Sequence, residues 1–190
     1  MPFRKQYQDD VGLKSDPYLT NPEKRIQEIL AMGRKPLLSG IAKKGKKIWS
    51  AHLGSIYRKK TKLPKSQAKC DDFIVKLIWK ISCALSPRKK DKPFGVAQKI
   101  VNLFFKDLWA FGHISAPIDS FLHIPIDRGV LGKLKKAPST WSAWTKATAT
   151  RISSPTVKDY LEIQKLYRAF LAHPAAPGTH PRILKTAIEM

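Results

Sequence analysis

The sequence predicts an all-α fold, on three observations. Apolar residues recur at three- and four-residue spacing along most of the 190-residue chain. No run of alternating apolar and polar residues is long enough to predict a β-sheet. Serine, asparagine, aspartate or proline stands before several of the apolar runs, as is usual at a helix N-terminus. With 43% hydrophobic residues, the chain can form one compact helical domain or two helical lobes with an intervening cleft.

The first predicted helix begins after Asn21, has Pro22 at its first position and ends at Gly33. The second covers LLSGIAKKGKKIWSAHLGSIY, residues 37–57. Glycine is a poor helix former, so the glycines in this stretch should break or weaken the helix. They are Gly40, Gly45 and Gly54.

Two more apolar helices follow in the sequence. Ser66 can cap the first, which covers residues 67–85 and stops at Ser86-Pro87. The second, residues 94–112, is so apolar that we expect it to be the central helix of the fold. Its few polar positions are predicted to form its surface: Gln98, Lys99, Asn102, Lys106 and Asp107.

The C-terminal region is predicted to contain three further helices. Ser139 caps a short one, TWSAWTKAT, and Ser154 with Pro155 starts a long one that extends to Leu171. A loop rich in proline, residues 173–181, then leads to a last short helix at residues 182–190.

The positive charge is unevenly distributed. The chain has 36 basic and 14 acidic residues and a net charge of +22, which predicts a polyanionic partner. Residues 1–33, the N-terminal segment and first helix, are balanced, with five basic and five acidic residues. Residues 34–92, a basic helical region, hold eighteen basic and three acidic residues. Residues 93–190 form a mildly basic helical core, so we expect the polyanion on 34–92.

Nucleic acid is the predicted polyanion, and DNA is favoured over RNA. Lysine and arginine would neutralise phosphates, and interleaved aromatic rings could stack on unpaired bases or belong to the core of an amphipathic helix. The predicted nucleic-acid-binding residues are Lys43, Lys44, Lys46, Lys47, Trp49, Tyr57, Arg58, Lys59, Lys60, Lys62, Arg88, Lys89, Lys90 and Arg128.

Other features exclude several classes of protein. No apolar stretch approaches the roughly 20 residues that span a bilayer, so no membrane partner is expected. Cys70 and Cys83 form neither a CxxC motif nor a secretory disulfide framework, and the N-terminus has no signal peptide. A cytoplasmic location is therefore predicted. The sequence contains no P-loop, Gly-x-Ser-x-Gly, His-Glu-x-x-His or zinc-finger spacing, and no cofactor is expected.

The stretch SAPIDSFLHIPIDRGVL repeats the tripeptide Pro-Ile-Asp, with Asp119 and Asp127 eight residues apart. Each aspartate precedes an apolar run and can cap a helix. Alternatively, one of them is a catalytic carboxylate.

The region from Gly95 to Asp127 resembles the helix-hairpin-helix DNA glycosylase superfamily. Gly95-Val96-Ala97-Gln98-Lys99 stands where that family has a glycine-rich hairpin followed by a helix with a lysine, and Asp119 or Asp127 stands where it has its catalytic aspartate. The resemblance covers about 35 residues. It implies an all-helical protein that extrudes a damaged or modified nucleotide from duplex DNA and cleaves its N-glycosidic bond.

By this resemblance Lys99 would be the lysine that attacks the sugar, and an aspartate would stabilise the oxocarbenium-like transition state. The spacing from Lys99 favours Asp119, whereas Asp127 is favoured by the longer apolar run that follows Asp127. We prefer Asp127, because the following Arg128 and helix amides would favour an ionised carboxylate. Asp119 would then mainly cap its short turn.

Three alternatives remain open at this point. The protein could bind nucleic acid without catalysis, as an architectural or ribonucleoprotein subunit. Arg168 and His173 have the Arg-x4-His spacing of HEPN ribonucleases, which this segment resembles in that spacing alone. Four residues could also supply metal ligands, although a surface ion pair explains the four-residue spacing of Asp119 and His123 equally well. These four are His113, Asp119, His123 and Asp127.

Overall fold

The structure is a computed structural model that describes residues 2–31, 41–59, 63–127, 130–131 and 146–172. The all-α prediction is confirmed, since within these ranges Lys92 and Ala149 form an isolated β-bridge and no strand occurs. The elements are α1 (Pro2–Asp10), α2 (Pro17–Thr20), α3 (Pro22–Ala31), α4 (Ile41–Ile48), a π-helical turn (Trp49–Leu53), α5 (Gly54–Arg58), α6 (Gln67–Leu85), α7 (Phe94–Ala110), a 3-10 turn (Ile118–Phe121) and α8 (Pro155–Ala172).

Helix α7 is the central helix, as its composition predicts. It packs against α1, α3 and α6, and most of its residues are buried. The main hydrophobic core includes Ile26 from α3, Ile78 from α6 and Phe104 from α7. The three regions distinguished by charge therefore share one core.

The polar side chains of α7 do not form its surface, and this prediction is wrong for three of the five residues. Gln98, Asn102 and Asp107 are at most 1% exposed. Each has hydrogen-bond partners on other elements of the fold. A periodicity argument assigns polar residues to the surface, but a buried polar side chain is stable where the fold supplies its partners.

The predicted breaks at Gly45 and Gly54 do not occur. Gly45 lies inside α4, where a Cβ atom would stand 2.8 Å from Cγ of Gln27 and 3.1 Å from the carbonyl oxygen of Glu23. Glycine therefore allows α4 to approach α3 closely. Near Gly54 the helix widens instead of ending, because the Gly54 N–H donates to the carbonyl of Trp49 across a π turn.

The helix starts differ in how they are capped. Oδ1 of Asn21 accepts the Lys24 N–H at 3.1 Å, as predicted, and α8 begins at Pro155. Ser66 precedes α6 but makes no side-chain cap, so that prediction is wrong.

Helices α1 and α2 were not predicted. Gly33, Gly40, Ser139 and residues 173–190 lie outside the described residues.

Among the described helices, none combines the length and the apolar character that crossing a membrane requires.

Candidate functional site

The structure brings Lys99 and Asp127 together. Lys99 lies on α7, and its Nζ is 3.8 Å from Oδ2 of Asp127. The two side chains are 19% and 24% exposed, so both are accessible from solvent. Oδ1 of Asp127 accepts the Val130 N–H at 3.1 Å. Asp127 thus binds the Val130 N–H through one oxygen and is the ion-pair partner of Lys99 through the other.

Two buried glutamines hold the extended segment that leads to Asp127. Oε1 of Gln98 accepts the Ile126 N–H at 3.0 Å, and its Nε2 donates to the Ile126 carbonyl at 2.8 Å. Gln164 of α8 makes the same pair of bonds to Ile124, at 3.0 and 2.9 Å. The side-chain amides replace the neighbouring strand that an extended backbone would otherwise need. They hold the segment that leads to Asp127 against α7 and α8.

His123 lies in the same segment and is buried. Its Nε2 is 2.6 Å from Oδ1 of Asp71, and its Nδ1 is 2.7 Å from the hydroxyl of Tyr160. Burial lowers the pKa of His123, although Asp71 opposes the shift. In the neutral tautomer that these partners select, Nε2–H donates to Asp71 and Nδ1 accepts from Tyr160. Asn102 donates to the Tyr160 hydroxyl at 3.0 Å and completes the network.

Asp71 joins this network to α8. Burial alone would raise its pKa, but the hydrogen bond from His123 and the charge of Arg168 lower it. Arg168 contacts both carboxylate oxygens, at 3.3 and 3.1 Å. The network connects α6, α7, α8 and the segment before Asp127.

Asp119 forms no ion pair with Lys99. It is within the 3-10 turn that follows Pro117, and this turn has no side-chain cap. The prediction that Asp119 caps its short turn is therefore wrong. Among the described residues, the carboxylate that pairs with Lys99 is Asp127.

Asp107 is a fully buried carboxylate, which the sequence pattern did not predict. Asp107 of α7 accepts hydrogen bonds from the hydroxyls of Tyr7 and Tyr18, at 2.6 and 2.8 Å. Arg25 donates to its two oxygens at 2.9 and 3.0 Å. Burial raises the pKa of both tyrosines, which keeps them as hydroxyl donors. The signal in the sequence is an acidic residue inside the most apolar helix.

The predicted basic residues form two described groups. Lys43, Lys46, Lys47, Arg58 and Lys59 are exposed on the run from α4 to α5, and Lys44 is half-buried. We call this group the basic surface. Lys60, Lys62 and Arg128 lie outside the described residues.

The second group, Arg88, Lys89 and Lys90, is exposed on the loop after α6. The ammonium of Lys92 donates to the carbonyls of Ser86 and Pro87, at 3.0 and 3.1 Å, and also to that of Lys89. Lys92 therefore closes this loop on itself and presents the three exposed cations.

The two aromatic rings of the basic region are largely inside the protein. Tyr57 is 8% exposed, and its hydroxyl donates to Asp16 at 2.7 Å. Tyr57 is a core residue, so the prediction that its ring stacks on a base is wrong. Trp49 stacks on Tyr18 with ring centroids 5.5 Å apart, and it remains partly exposed.

The two histidines considered as metal ligands contact different carboxylates. Nε2 of His113 is 2.5 Å from Asp16, and His123 faces Asp71. The described residues contain no group of three or more potential ligands that could hold a metal ion. In the HEPN-like motif, Arg168 pairs with Asp71, and His173 lies outside the described residues.

Comparison with known proteins gives no relative: no family model matches the chain, and no curated protein and no solved structure is significantly similar to it.

Proposed function

We propose that the protein binds DNA and cleaves the N-glycosidic bond of a damaged or modified nucleotide, with Lys99 and Asp127 as the reacting residues. The observation that supports this proposal is the 3.8 Å approach of Nζ of Lys99 to Oδ2 of Asp127. The two residues are well separated in the sequence, and the resemblance to helix-hairpin-helix glycosylases pairs them in one site.

The two groups are suited to this reaction. Loss of a base leaves positive charge on the sugar, which a nearby carboxylate stabilises. The Val130 N–H fixes one oxygen of Asp127, so the other has a defined direction. After its proton passes to solvent, the amine of Lys99 would attack the anomeric carbon as the N-glycosidic bond breaks; the base leaves with the electron pair of that bond and takes up a proton from solvent.

DNA binding is supported by the charge. The basic surface and the loop at Arg88–Lys90 present exposed cations, which neutralise phosphates and release counterions. These cations lie in residues 41–59 and 86–92, and the only carboxylate in those two segments is that of Asp91.

The test is incubation with a panel of modified and unmodified duplexes, followed by alkaline cleavage at abasic sites. Wild-type protein should cleave at least one modified duplex. Asp127→Asn should abolish base release while keeping the fold and duplex affinity, because asparagine remains a good cap. Asp119→Asn is the matched control and should retain activity. If Asp127→Asn retains wild-type activity, the catalytic assignment is wrong.

Lys99 is tested by borohydride reduction during the reaction. If its amine attacks the sugar, reduction should trap a covalent protein–DNA adduct, and Lys99→Gln should lose that adduct. If the base is released but no adduct is trapped, Lys99 does not attack the sugar and acts only as the ion-pair partner of Asp127.

A second candidate function is nucleic-acid binding without catalysis. It is favoured by the cap that Asp127 provides, because a capping aspartate paired with a lysine needs no catalytic role. If the protein binds nucleic acid without catalysis, no duplex in the panel should yield abasic sites. Replacement of Lys43, Lys44, Lys46 and Lys47 by glutamine should still weaken binding and flatten its salt dependence, by about 0.9 in the log–log slope for each phosphate that is no longer neutralised.

A further inference from the structure

Asp16 and His113 form a hydrogen-bonded pair that the proposed reaction at Lys99 and Asp127 does not use. Nε2 of His113 lies 2.5 Å from Oδ2 of Asp16. The side chain of Asp16 is 7% exposed and that of His113 is 22% exposed. The pair therefore extends from a buried carboxylate to an imidazole that solvent can reach.

The other contacts of Asp16 hold its carboxylate in place. Oδ1 accepts the N–H of Tyr18 at 2.9 Å and so caps α2. Oδ2 accepts the hydroxyl of Tyr57 at 2.7 Å, in addition to its contact with His113. Burial raises the pKa of Tyr57, and the hydrogen bond to Asp16 raises it further, so Tyr57 remains a donor. Asp16 is thus an acceptor for all three partners.

The contact with Asp16 determines which ring nitrogen of His113 is available for chemistry. Because the carboxylate can only accept, Nε2 carries a proton, and the neutral ring has its lone pair on Nδ1. Among the described residues, Nδ1 has no hydrogen-bond partner and is not one of the buried side-chain atoms that lack one. Nδ1 therefore faces solvent. The ring of Tyr57 makes a T-shaped contact with the imidazole, with centroids 5.6 Å apart, and restricts its rotation.

An imidazole that a buried carboxylate orients, and whose second nitrogen is open, can take a proton from a hydroxyl group. No hydroxyl of the described residues hydrogen-bonds to Nδ1, so the hydroxyl would belong to the substrate or to water. A hydroxyl of the substrate reacts more readily than water, because it is already held next to the reacting atom.

The surroundings of the pair favour a phosphodiester as the group under attack. Arg58 and Lys59 follow Tyr57 directly in the sequence, and both are exposed on the basic surface. Cations of this kind bind backbone phosphates. RNA combines the two groups that the pair requires, since each of its 2′-hydroxyls stands next to a phosphate, whereas DNA has no such hydroxyl.

We propose that His113 and Asp16 form a second active site, which cleaves single-stranded RNA. Nδ1 of His113 takes the proton of a 2′-hydroxyl, and the 2′-oxygen attacks the adjacent phosphorus. The bond from phosphorus to the 5′-oxygen breaks, and this oxygen keeps the bonding electrons and takes up a proton from water. The imidazolium returns its proton to solvent. The products are a 2′,3′-cyclic phosphate and a 5′-hydroxyl.

Asp16 is a positioning residue in this reaction, because it keeps the ring of His113 in the tautomer whose Nδ1 is the base. The proposal goes beyond the proposed function. It shares the basic surface with that function and does not depend on base excision.

The first test is incubation of the protein with an end-labelled, single-stranded RNA oligonucleotide in EDTA, because the reaction as written requires no metal ion. Wild-type protein should produce fragments that end in a 2′,3′-cyclic phosphate, and a DNA oligonucleotide of the same sequence should stay intact. His113→Gln should lower the rate by about 10²- to 10⁴-fold, the usual contribution of a general base. The proposal is overturned if wild-type protein does not cleave the RNA, or if His113→Gln cleaves it equally fast.

Asp16→Asn tests the positioning role. Asparagine can still cap α2, but its amide would donate to Nε2 of His113, move the ring proton to Nδ1 and so remove the base. We expect kcat to fall while KM for the oligonucleotide stays close to the wild-type value. A change in KM with unchanged kcat would contradict this role.

The matched controls are Asp9→Asn, at an exposed aspartate, and His52→Gln, at another half-buried histidine. Both variants should cleave RNA at the wild-type rate. A loss in the controls as large as that in Asp16→Asn and His113→Gln would overturn the assignment to this pair.

A measurement on wild-type protein does not depend on how the variants fold. NMR of the histidine ring nitrogens should show that neutral His113 carries its proton on Nε2, and a proton on Nδ1 would overturn the proposal. RNA cleavage without base release from any duplex would support this site and refute the glycosylase. Base release without RNA cleavage would refute this site and leave the proposed function intact.

Discussion

The two Pro-Ile-Asp tripeptides have the same sequence and different environments. In the first, Pro117 is exposed, and Ile118 and Asp119 are half-buried in a 3-10 turn. In the second, Ile126 is fully buried and Asp127 faces Lys99. The difference arises outside the tripeptides.

The second tripeptide has buried polar partners and the first does not. Gln98 binds both backbone groups of Ile126, whereas the first unit is held by local bonds such as that from the Ser120 hydroxyl to the Pro117 carbonyl, at 2.6 Å. A buried backbone group without a partner is costly. The glutamine therefore decides which aspartate occupies the candidate site.

The largest expected effect comes from breaking the glutamine contact. Gln98→Leu leaves the N–H and carbonyl of Ile126 without this partner and should destabilise the protein by about 2–6 kcal/mol, at roughly 1–3 kcal/mol for each buried group. Urea denaturation measures the change. Ser120→Ala in the first unit is the matched control and should have an effect of about 0.5 kcal/mol or less. Equal effects would mean that the two units are held alike.

An intermediate effect is expected from removing each carboxylate. Asp127→Ala loses the cap to Val130 and should destabilise by about 1 kcal/mol. Asp119→Ala removes no cap and should change stability by no more than a few tenths of a kcal/mol. Thermal and urea denaturation of the two variants provide the comparison. A larger loss at Asp119 would reverse our ranking of the two positions.

The smallest effect is a pH dependence that originates in the second unit. Burial lowers the pKa of folded His123 below the usual 6.5, so the unfolded chain binds this proton first as the pH falls. The stabilisation is complete above about pH 6.5 and decreases from there toward the folded pKa. His123→Gln should flatten the unfolding free energy between about pH 7 and pH 5.

His52 is the necessary control, because its pKa is lowered in the same direction. His52→Gln should remove a smaller share of the pH dependence, since His52 is half-buried and water screens its charge. If His123→Gln leaves the pH dependence of stability unchanged, His123 does not stay neutral in the folded protein as its partners suggest.

The positions of the long helices could be predicted from the sequence because their signals are local. The apolar spacing predicts α6 over residues 67–85 and α7 from residue 94, and the structure has Gln67–Leu85 and Phe94–Ala110. Pro155 marks the start of α8. Helix periodicity and proline both act within a few residues, so one segment carries the whole signal.

The candidate pair was only partly predictable. The resemblance identifies Lys99 and leaves two aspartates, since both follow Pro-Ile and both precede apolar residues. The sequence favours Asp127 through the residues that follow it, and the fold adds an independent reason, because Asp127 reaches Lys99 through a segment that Gln98 and Gln164 hold in place.

By itself, then, the sequence determined the helical class, the main helix positions and the strongly basic character of the chain, all of which are properties of short segments or of composition. The tertiary structure alone decided the fate of the polar residues in α7. Asp107 meets Tyr7 from 100 positions away and Arg25 from 82. Burial of a charged group is stable only where such distant partners converge on it, and no local pattern encodes that convergence.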